Sequence, residues 1–327
     1  MPAIHVENLT KKFHDFVAVD TVSFDIQSGE IFGLLGPNGA GKTTTISMLS
    51  TMQKPTSGTA TVNGCDVLTD EDGVRKSIGI VFQDQSLDEE LTAYENMDFH
   101  GRLYRIPRTE REERISKLLT LVELDERKDD LVKTFSGGMR RRLEIARGLL
   151  HRPKVLFLDE PTLGLDPQTR NHLWAYIEQL NEEMGITIIL TTHYMDEADR
   201  LCDRIAIIDR GRIIAMDTSQ NLKSTIGGDV ITIQTPDSAL ISSKIAAPWV
   251  ERIEEHDGYV TINLHNAETH LSEIVTRLNR NGIEITSISV RKPTLEDVFL
   301  HYTGKTIREG EADGKETMRM FHRASRR

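Results

Sequence analysis

The sequence predicts an α/β protein. A three-layer core is built on a mainly parallel sheet, with a small antiparallel sheet and a helical subdomain beside it and a smaller α+β unit after it. Three observations predict this. First, continuous apolar runs at Ile31–Leu35, Ile78–Phe82, Val155–Leu158 and Ile186–Leu190 alternate with stretches of helical periodicity, as in strands buried on both faces. Second, a glycine-rich turn, Gly36-Pro37-Asn38-Gly39-Ala40-Gly41, joins the first run to a helix opening at Lys42-Thr43-Thr44. Third, beyond Gly227-Gly228 the pattern changes to alternating strands around one amphipathic helix. The expected division is therefore 1–228, with a helical subdomain at about 88–150, then 229–304, then a charged and disordered tail over 305–327.

The chain has 327 residues, enough for about two domains with well-buried cores. A formal charge of −11, spread rather than blocked, argues against a nucleic-acid backbone as the main partner. Cys65 and Cys202 belong to no C-x-x-C pair, which points to free thiols in a reducing compartment. No apolar segment of a secretory signal follows Met1. No run reaches the roughly 18 apolar residues that a membrane helix needs.

Taken in order, residues 4–10 alternate as a half-buried strand, and Lys11–Phe16 reads as a polar loop carrying Phe13 and Phe16. Val22–Ile26 and Thr59–Asn63 are further short strands of the antiparallel sheet. Ile115, Leu118, Leu119 and Val122 form one helical stripe, and Pro107 marks that helix's start. Ser136-Gly137-Gly138 opens another helix, which runs to Leu150. Leu173, Ile177, Leu180 and Met184 give an amphipathic helix stopped by Gly185. Residues 205–208 and 212–216 read as a hairpin around Arg210-Gly211. In the last unit, 230–234, 259–264 and 285–290 read as strands, 270–281 and 295–302 as helices.

The candidate chemistry gathers at the carboxyl ends of the buried strands. Gly36, Gly41, Lys42 and Thr43 match G-x-x-x-x-G-K-[ST] in its strand–loop–helix context. Such glycines let successive amides face one anion, and the helix N-terminus adds partial positive charge. Lys42 can then reach the outer phosphates, and Thr43 can ligate Mg²⁺. Asp159 follows an apolar strand and can hold Mg²⁺; Glu160 beside it can orient or deprotonate a water. The plain alternative is that Asp159-Glu160 caps the next helix. His193 follows the 186–190 strand, and Gln83 ends the 78–82 run. Ser136 offers a hydroxyl beside helix-terminal amides, or simply an N-cap. The run Arg140–Arg142 is expected to be a solvated or interface face.

Together these motifs resemble an ATP-binding-cassette (ABC) ATPase over residues 1–228. Gly36–Thr43 matches the Walker A loop and Val155–Glu160 Walker B. Gln83 matches the Q-loop glutamine, His193 the switch histidine, Gly164-Leu165-Asp166 the D-loop, and Phe13 the aromatic that stacks on adenine. Ser136-Gly137-Gly138 matches the signature loop, although Phe135 and Met139 replace its usual Leu and Gln. That spelling, the 191–199 run and Pro293–Gly304 resemble the daunorubicin-resistance-type exporters.

The resemblance implies a P-loop core that binds ATP through Phe13, residues 36–44 and, across a head-to-tail homodimer, Ser136–Gly138. It implies Mg²⁺ at Thr43, Gln83 and Asp159, and catalysis by Glu160, His193, Lys42 and Gln83. It also implies a separate integral-membrane permease docking near Gln83 and Leu91–Met97. The place is then cytoplasmic, peripheral on the inner face of the cell membrane. The expected function is the ATP-hydrolysing motor of a drug or other amphiphile exporter, with the C-terminal unit supporting dimerisation or regulation and no nucleic-acid partner. A soluble ABC ATPase acting as a partner-binding switch, or on ribosomes or DNA, is the alternative.

Overall fold

The computed structural model describes residues 2–236, 241, 245, 247–256, 258–264 and 266–304. Residues 305–327, expected to form the charged tail, lie outside them. Among the described residues the chain forms two compact units, divided between Thr218 and Ser219.

The first unit begins with the hairpin β1 (Ile4–Phe13) and β2 (Phe16–Ile26). Strand pairing continues to Phe13↔Phe16, so the expected loop at 11–16 is instead the end of the hairpin. Left-handed His14 closes that tight turn. Then follow β3 (Ile31–Leu35), α1 (Lys42–Leu49), β4 (Ser57–Val62), β5 (Cys65–Asp66), α2 (Glu71–Ser77) and β6 (Ile78–Val81). The helical stretch holds α3 (Ala93–Leu103), α4 (Arg108–Leu121) and α5 (Gly137–Leu149). The core resumes with β7 (Val155–Asp159), α6 (Pro167–Met184), β8 (Thr187–Thr192), α7 (Met195–Leu201), β9 (Arg204–Asp209) and β10 (Arg212–Asp217).

The central sheet has the order β10-β9-β3-β8-β7-β6. Its pairings are parallel from β9 through β6, and β10 closes the edge antiparallel to β9. All five residues of β3, and all of β7 and β8, are buried, which explains the apolar runs Ile31–Leu35, Val155–Leu158 and Ile188–Leu190 within them. A second sheet, β2-β1-β4-β5, is antiparallel and shares one core with the first. Phe24 and Phe32 stack at 5.4 Å where the two sheets meet.

The boundaries of α6 follow from its caps. Asp166 accepts from the amides of Gln168 and Thr169, Pro167 takes the first helical position, and left-handed Gly185 ends α6. Leu173, Ile177 and Leu180 face the core as expected, but Met184 is exposed in the last turn. Helix α4 buries Ile115, Leu118 and Leu119.

The second unit contains α8 (Ser219–Ser224), β11 (Asp229–Gln234), β12 (Val250–His256), β13 (Tyr259–Leu264), α9 (Ala267–Arg280), β14 (Ser287–Arg291) and α10 (Leu295–Thr303). Its sheet is wholly antiparallel, in the order β12-β13-β11-β14. Ile231, Ile233, Val260, Ile262 and Leu264 pack against Ile274 and Leu278 of α9. Strand β12 has no counterpart in the sequence reading, because Glu251, Glu254 and Glu255 interrupt its apolar alternation. The division falls before Gly228 because α8 packs on α10, within this unit.

Candidate functional site

The loop between β3 and α1 is pressed against its neighbours. A Cβ on Gly36 would stand 2.2 Å from the Ile208 carbonyl oxygen. One on Gly41, whose φ is +106°, would stand 2.6 Å from that of Ala18. Gly39 is also left-handed, with φ 83°. No side chain caps α1, so its first-turn amides face the loop. The Gly211 amide donates to Ala40 O at 2.9 Å, and the Asp20 amide to Gly211 O at 2.8 Å. The β9–β10 turn thereby fastens the loop to the β1–β2 hairpin, whose tip carries half-buried Phe13 under the Lys11 ammonium.

Lys42 is 4 % exposed. Its Nζ donates to Gly36 O at 2.7 Å and Pro37 O at 3.1 Å, and lies 3.3 Å from Glu160 Oε1. Thr43 Oγ1 donates to Asp159 Oδ1 at 3.2 Å. Thr191 Oγ1 donates to the same carboxylate oxygen. Burial pushes the Asp159 carboxyl above its ordinary range, more than those two hydroxyls pull it down. A buried carboxylate beside a hydroxyl is an all-oxygen donor set that suits a hard divalent cation such as Mg²⁺.

Glu160 is held by its backbone. Its amide donates to Thr191 O at 3.1 Å and to Thr191 Oγ1 at 3.0 Å, with φ at 46°. That left-handed conformation costs a non-glycine residue of order 1–3 kcal/mol. It keeps Glu160 beside Asp159 instead of continuing the strand. Burial pushes the Glu160 carboxyl up, but the nearby His193 and the Lys42 charge outweigh it and hold the group below the ordinary carboxylate range. His193 Nδ1 lies 3.2 Å from Glu160 Oε2, within ion-pair reach but outside hydrogen-bond geometry. The Tyr194 ring lies 4.2 Å from that of His193, and the Arg170 guanidinium 4.1 Å over Tyr194.

The tertiary structure thus brings Lys42, Thr43, Asp159, Glu160 and His193 into one cluster. Asp159 and Glu160 do not cap the next helix; Asp166 does. Gln83 stays exposed on the turn after β6, outside the hydrogen bonds of the cluster. Ser136 caps α5, accepting from the Met139 amide at 3.3 Å, and remains exposed with Gly137. Gly138 is buried, with room for no side chain against Thr169 Cγ2.

The Arg140–Arg142 run is not a solvated face. Arg141 is 7 % exposed, and Arg140 and Arg142 bond to Lys133 O and Val122 O. Three groups escaped the sequence reading: Thr191, Arg141 and the buried Glu197, which accepts from Thr162 Oγ1 at 2.7 Å and Trp174 Nε1 at 2.9 Å. A β-branched hydroxyl ending β8 was the available signal for Thr191. Nothing local separates Arg141 from its neighbours.

Comparison with known proteins places this geometry. Residues 19–163 match the ABC transporter family, and 218–303 match the ATP-binding protein DrrA1-3-like, C-terminal domain. The chain is 41% identical over 313 residues to the linearmycin resistance ATP-binding protein LnrL of Bacillus subtilis, covering 94% of this chain and 100% of that one. It is 41% identical to the daunorubicin/doxorubicin resistance ATP-binding protein DrrA of Streptomyces peucetius, covering 92% of each. Among solved structures, cbiO1 from Clostridium perfringens, part of the ABC transporter complex cbiONQ, superposes with TM-score 0.64 at 31% identity, over 69% of this chain and 93% of that one. The dimeric ATP-binding cassette MJ0796, in a post-hydrolysis state bound to ADP and Pi, does so with TM-score 0.59 at 30% identity, over 66% and 98%. No helix among the described residues is long and apolar enough to cross a membrane. A phosphate loop, a Walker B carboxylate pair and relatives spanning nearly the whole sequence have one common meaning: the protein belongs to the ABC-transporter ATP-binding proteins of the daunorubicin-resistance type, and is an ATPase.

Proposed function

We propose that the chain is the motor subunit of an ABC exporter, hydrolysing ATP as a head-to-tail homodimer to drive a separate membrane permease. The Lys42–Glu160–His193 cluster beside the Thr43–Asp159 pair is the observation that carries this reading. The loop of residues 36–44, through the backbone N–H groups from Asn38 onward, and the Lys42 ammonium bind the phosphates, with Phe13 against the adenine. Thr43, Asp159 and Gln83 would hold Mg²⁺, which when bound would neutralise charge on the phosphate oxygens. Glu160, kept ionised by Lys42 and His193, accepts the proton of the attacking water. His193 steadies that carboxylate and contacts the γ-phosphate.

Ser136–Gly138 serve the nucleotide of the partner copy, a role supported by the exposure of Ser136 and Gly137 at a helix N-terminus. The permease docks by Gln83 and residues 91–97 and holds the chain at the cytoplasmic face of the membrane. Relatives named for resistance to linearmycin and daunorubicin, and for Nod factor export in Ralstonia nicotianae, point to an amphiphilic cargo. The unit after Thr218 supports dimerisation or regulation.

Glu160→Gln tests the chemistry. It removes the proton acceptor while keeping shape, so ATP should still bind while hydrolysis falls about 10²–10⁴-fold. The protein should then accumulate as an ATP-bound dimer, visible by light scattering. Wild-type turnover would remove Glu160 from the mechanism.

A further inference from the structure

Helix α5 carries more than the exposed Ser136–Gly138 at its start. One turn further on, Arg141 turns inward, and every nitrogen of its guanidinium has a partner. Nε donates to Pro161 O at 2.9 Å, and Nη2 to Asp159 O at 2.8 Å. Nη1 donates to Phe82 O and to Glu144 Oε2, the latter at 3.0 Å. Three of the four acceptors are backbone carbonyls, and they flank the proposed working groups: Phe82 immediately precedes Gln83, while Asp159 and Pro161 enclose Glu160.

The same helix face continues the grip. Glu144 Oε1 accepts from the Ser86 amide at 2.8 Å, and Arg147 Nη1 donates to Ser86 O at 2.7 Å. Residues 141, 144 and 147 therefore seize the turn after β6 at both ends, Phe82 and Ser86.

We infer that Arg141 is a positioning residue for ATP hydrolysis. It ties the helix that presents Ser136–Gly138 to the backbone on both sides of Glu160 and to the turn bearing Gln83. A planar guanidinium fork suits this role, because its donors lie in one plane at fixed angles and so fix three carbonyls relative to one another and to α5. A lysine keeps the charge but presents one point of donation. Displacement of α5 is thereby delivered to Glu160 through rigid hydrogen bonds, without direct contact between Arg141 and nucleotide. This inference rests on the roles given above to Glu160 and Gln83.

The test uses the full chain with Mg-ATP. Arg141→Lys should melt near the wild-type temperature and bind ATP normally. Its kcat should fall about tenfold to a hundredfold, the range in which misplacing a catalytic group by an ångström acts. KM should change by less than about threefold, since the phosphate loop is untouched. In the Glu160→Gln background the same change should add less than about threefold, because Arg141 acts through Glu160.

Wild-type kcat in Arg141→Lys overturns the inference, as does a full additional loss in the double variant. So does a loss confined to KM and melting temperature. Where Arg141→Lys does not fold, Arg141→Met with Glu144→Gln removes both charges together and is read by the same ratios. If Glu160→Gln alone hydrolyses ATP at the wild-type rate, the assignment of Glu160 fails instead; an inactive Glu160→Gln with an unimpaired Arg141→Lys sinks only the role of Arg141.

Discussion

The two units of this chain bury different kinds of residue. The first sequesters Glu30, Lys42, Arg111, Arg141, Glu144, Asp159, Glu160 and Glu197, each under 9 % exposed. The described buried set of the second is apolar: Ile231, Ile233, Val260, Ile262, Leu264, Ile274, Leu278 and Phe299 among others, with Thr235 the buried polar residue. A buried charge costs several kcal/mol unless it is matched by partners, so a fold collects such groups where their chemistry is needed. A sheet closed by isoleucines needs no such explanation; its core does nothing but hold it together. The difference agrees with the proposal that the reaction belongs to the first unit and a supporting role to the second.

The largest effect should come from damaging the charged side of this contrast. Lys42→Ala removes the ammonium at the phosphate loop, and Ser136→Arg fills the cradle proposed to serve a partner copy. Each homodimer should lose ATPase activity by at least about a hundredfold, as when an electrostatic transition-state contact is removed. Mixed dimers segregate the two lesions into one site and leave the other intact, so mixing should restore part of the turnover or one tight ATP site. Confirmed mixed dimers with neither recovery would exclude the head-to-tail arrangement.

The aliphatic unit should matter far less to nucleotide. A chain ending at Thr218, where the compact units divide, should bind ATP within about threefold of the full chain by titration, because a change removing no phosphate contact leaves the affinity within about a kcal/mol. Dimerisation or regulation should show the loss instead. A folded truncation that no longer binds ATP would break the division of labour between the units.

The smallest effect concerns His100, whose ring lies 5.1 Å from that of Tyr104 and 6.4 Å from that of His151. Burial, with the Arg147 and His151 charges, lowers its pKa to about 4. The unfolded chain protonates this histidine near the ordinary value of about 6.5, whereas the folded chain stays neutral until about 4. Stability is therefore fully present above pH 6.5 and falls as the pH drops towards 4. His100→Gln should flatten this acid slope by a few degrees in melting temperature. An unchanged slope would place the buried acid-sensitive groups elsewhere, with His151 next, since burial lowers it too.

Much of this protein was legible in the residue order because its signals are local. An apolar run without alternation has to be a strand covered on both faces, which is why β3, β6, β7 and β8 were visible. The glycine pattern before Lys42 reports close backbone approach, and the clashes at Gly36 and Gly41 are its physical content. The letters of Asp159-Glu160 fit both a role with Mg²⁺ and water and a helix cap, and the structure gives the cap to Asp166. Phe13 was placed in a loop because aromatics near charges break the alternation, although the hairpin extends through it.

The sequence by itself determined the phosphate loop, the buried strands β3, β6, β7 and β8 and the stripe of α4, because periodicity and short-range sterics act within a few residues. The tertiary structure alone decided that Lys42, Glu160 and His193 lie in one cluster, that Thr191 shares its hydroxyl with both Walker B residues, and that Arg141 and not Arg140 or Arg142 points inward. The reason is that these contacts join the ends of β3, β7 and β8, and α5 to the ends of β6 and β7, which are neighbours in the fold but far apart in the chain. Their energies depend on burial, a property that a run of three arginines cannot express until the helix has been packed.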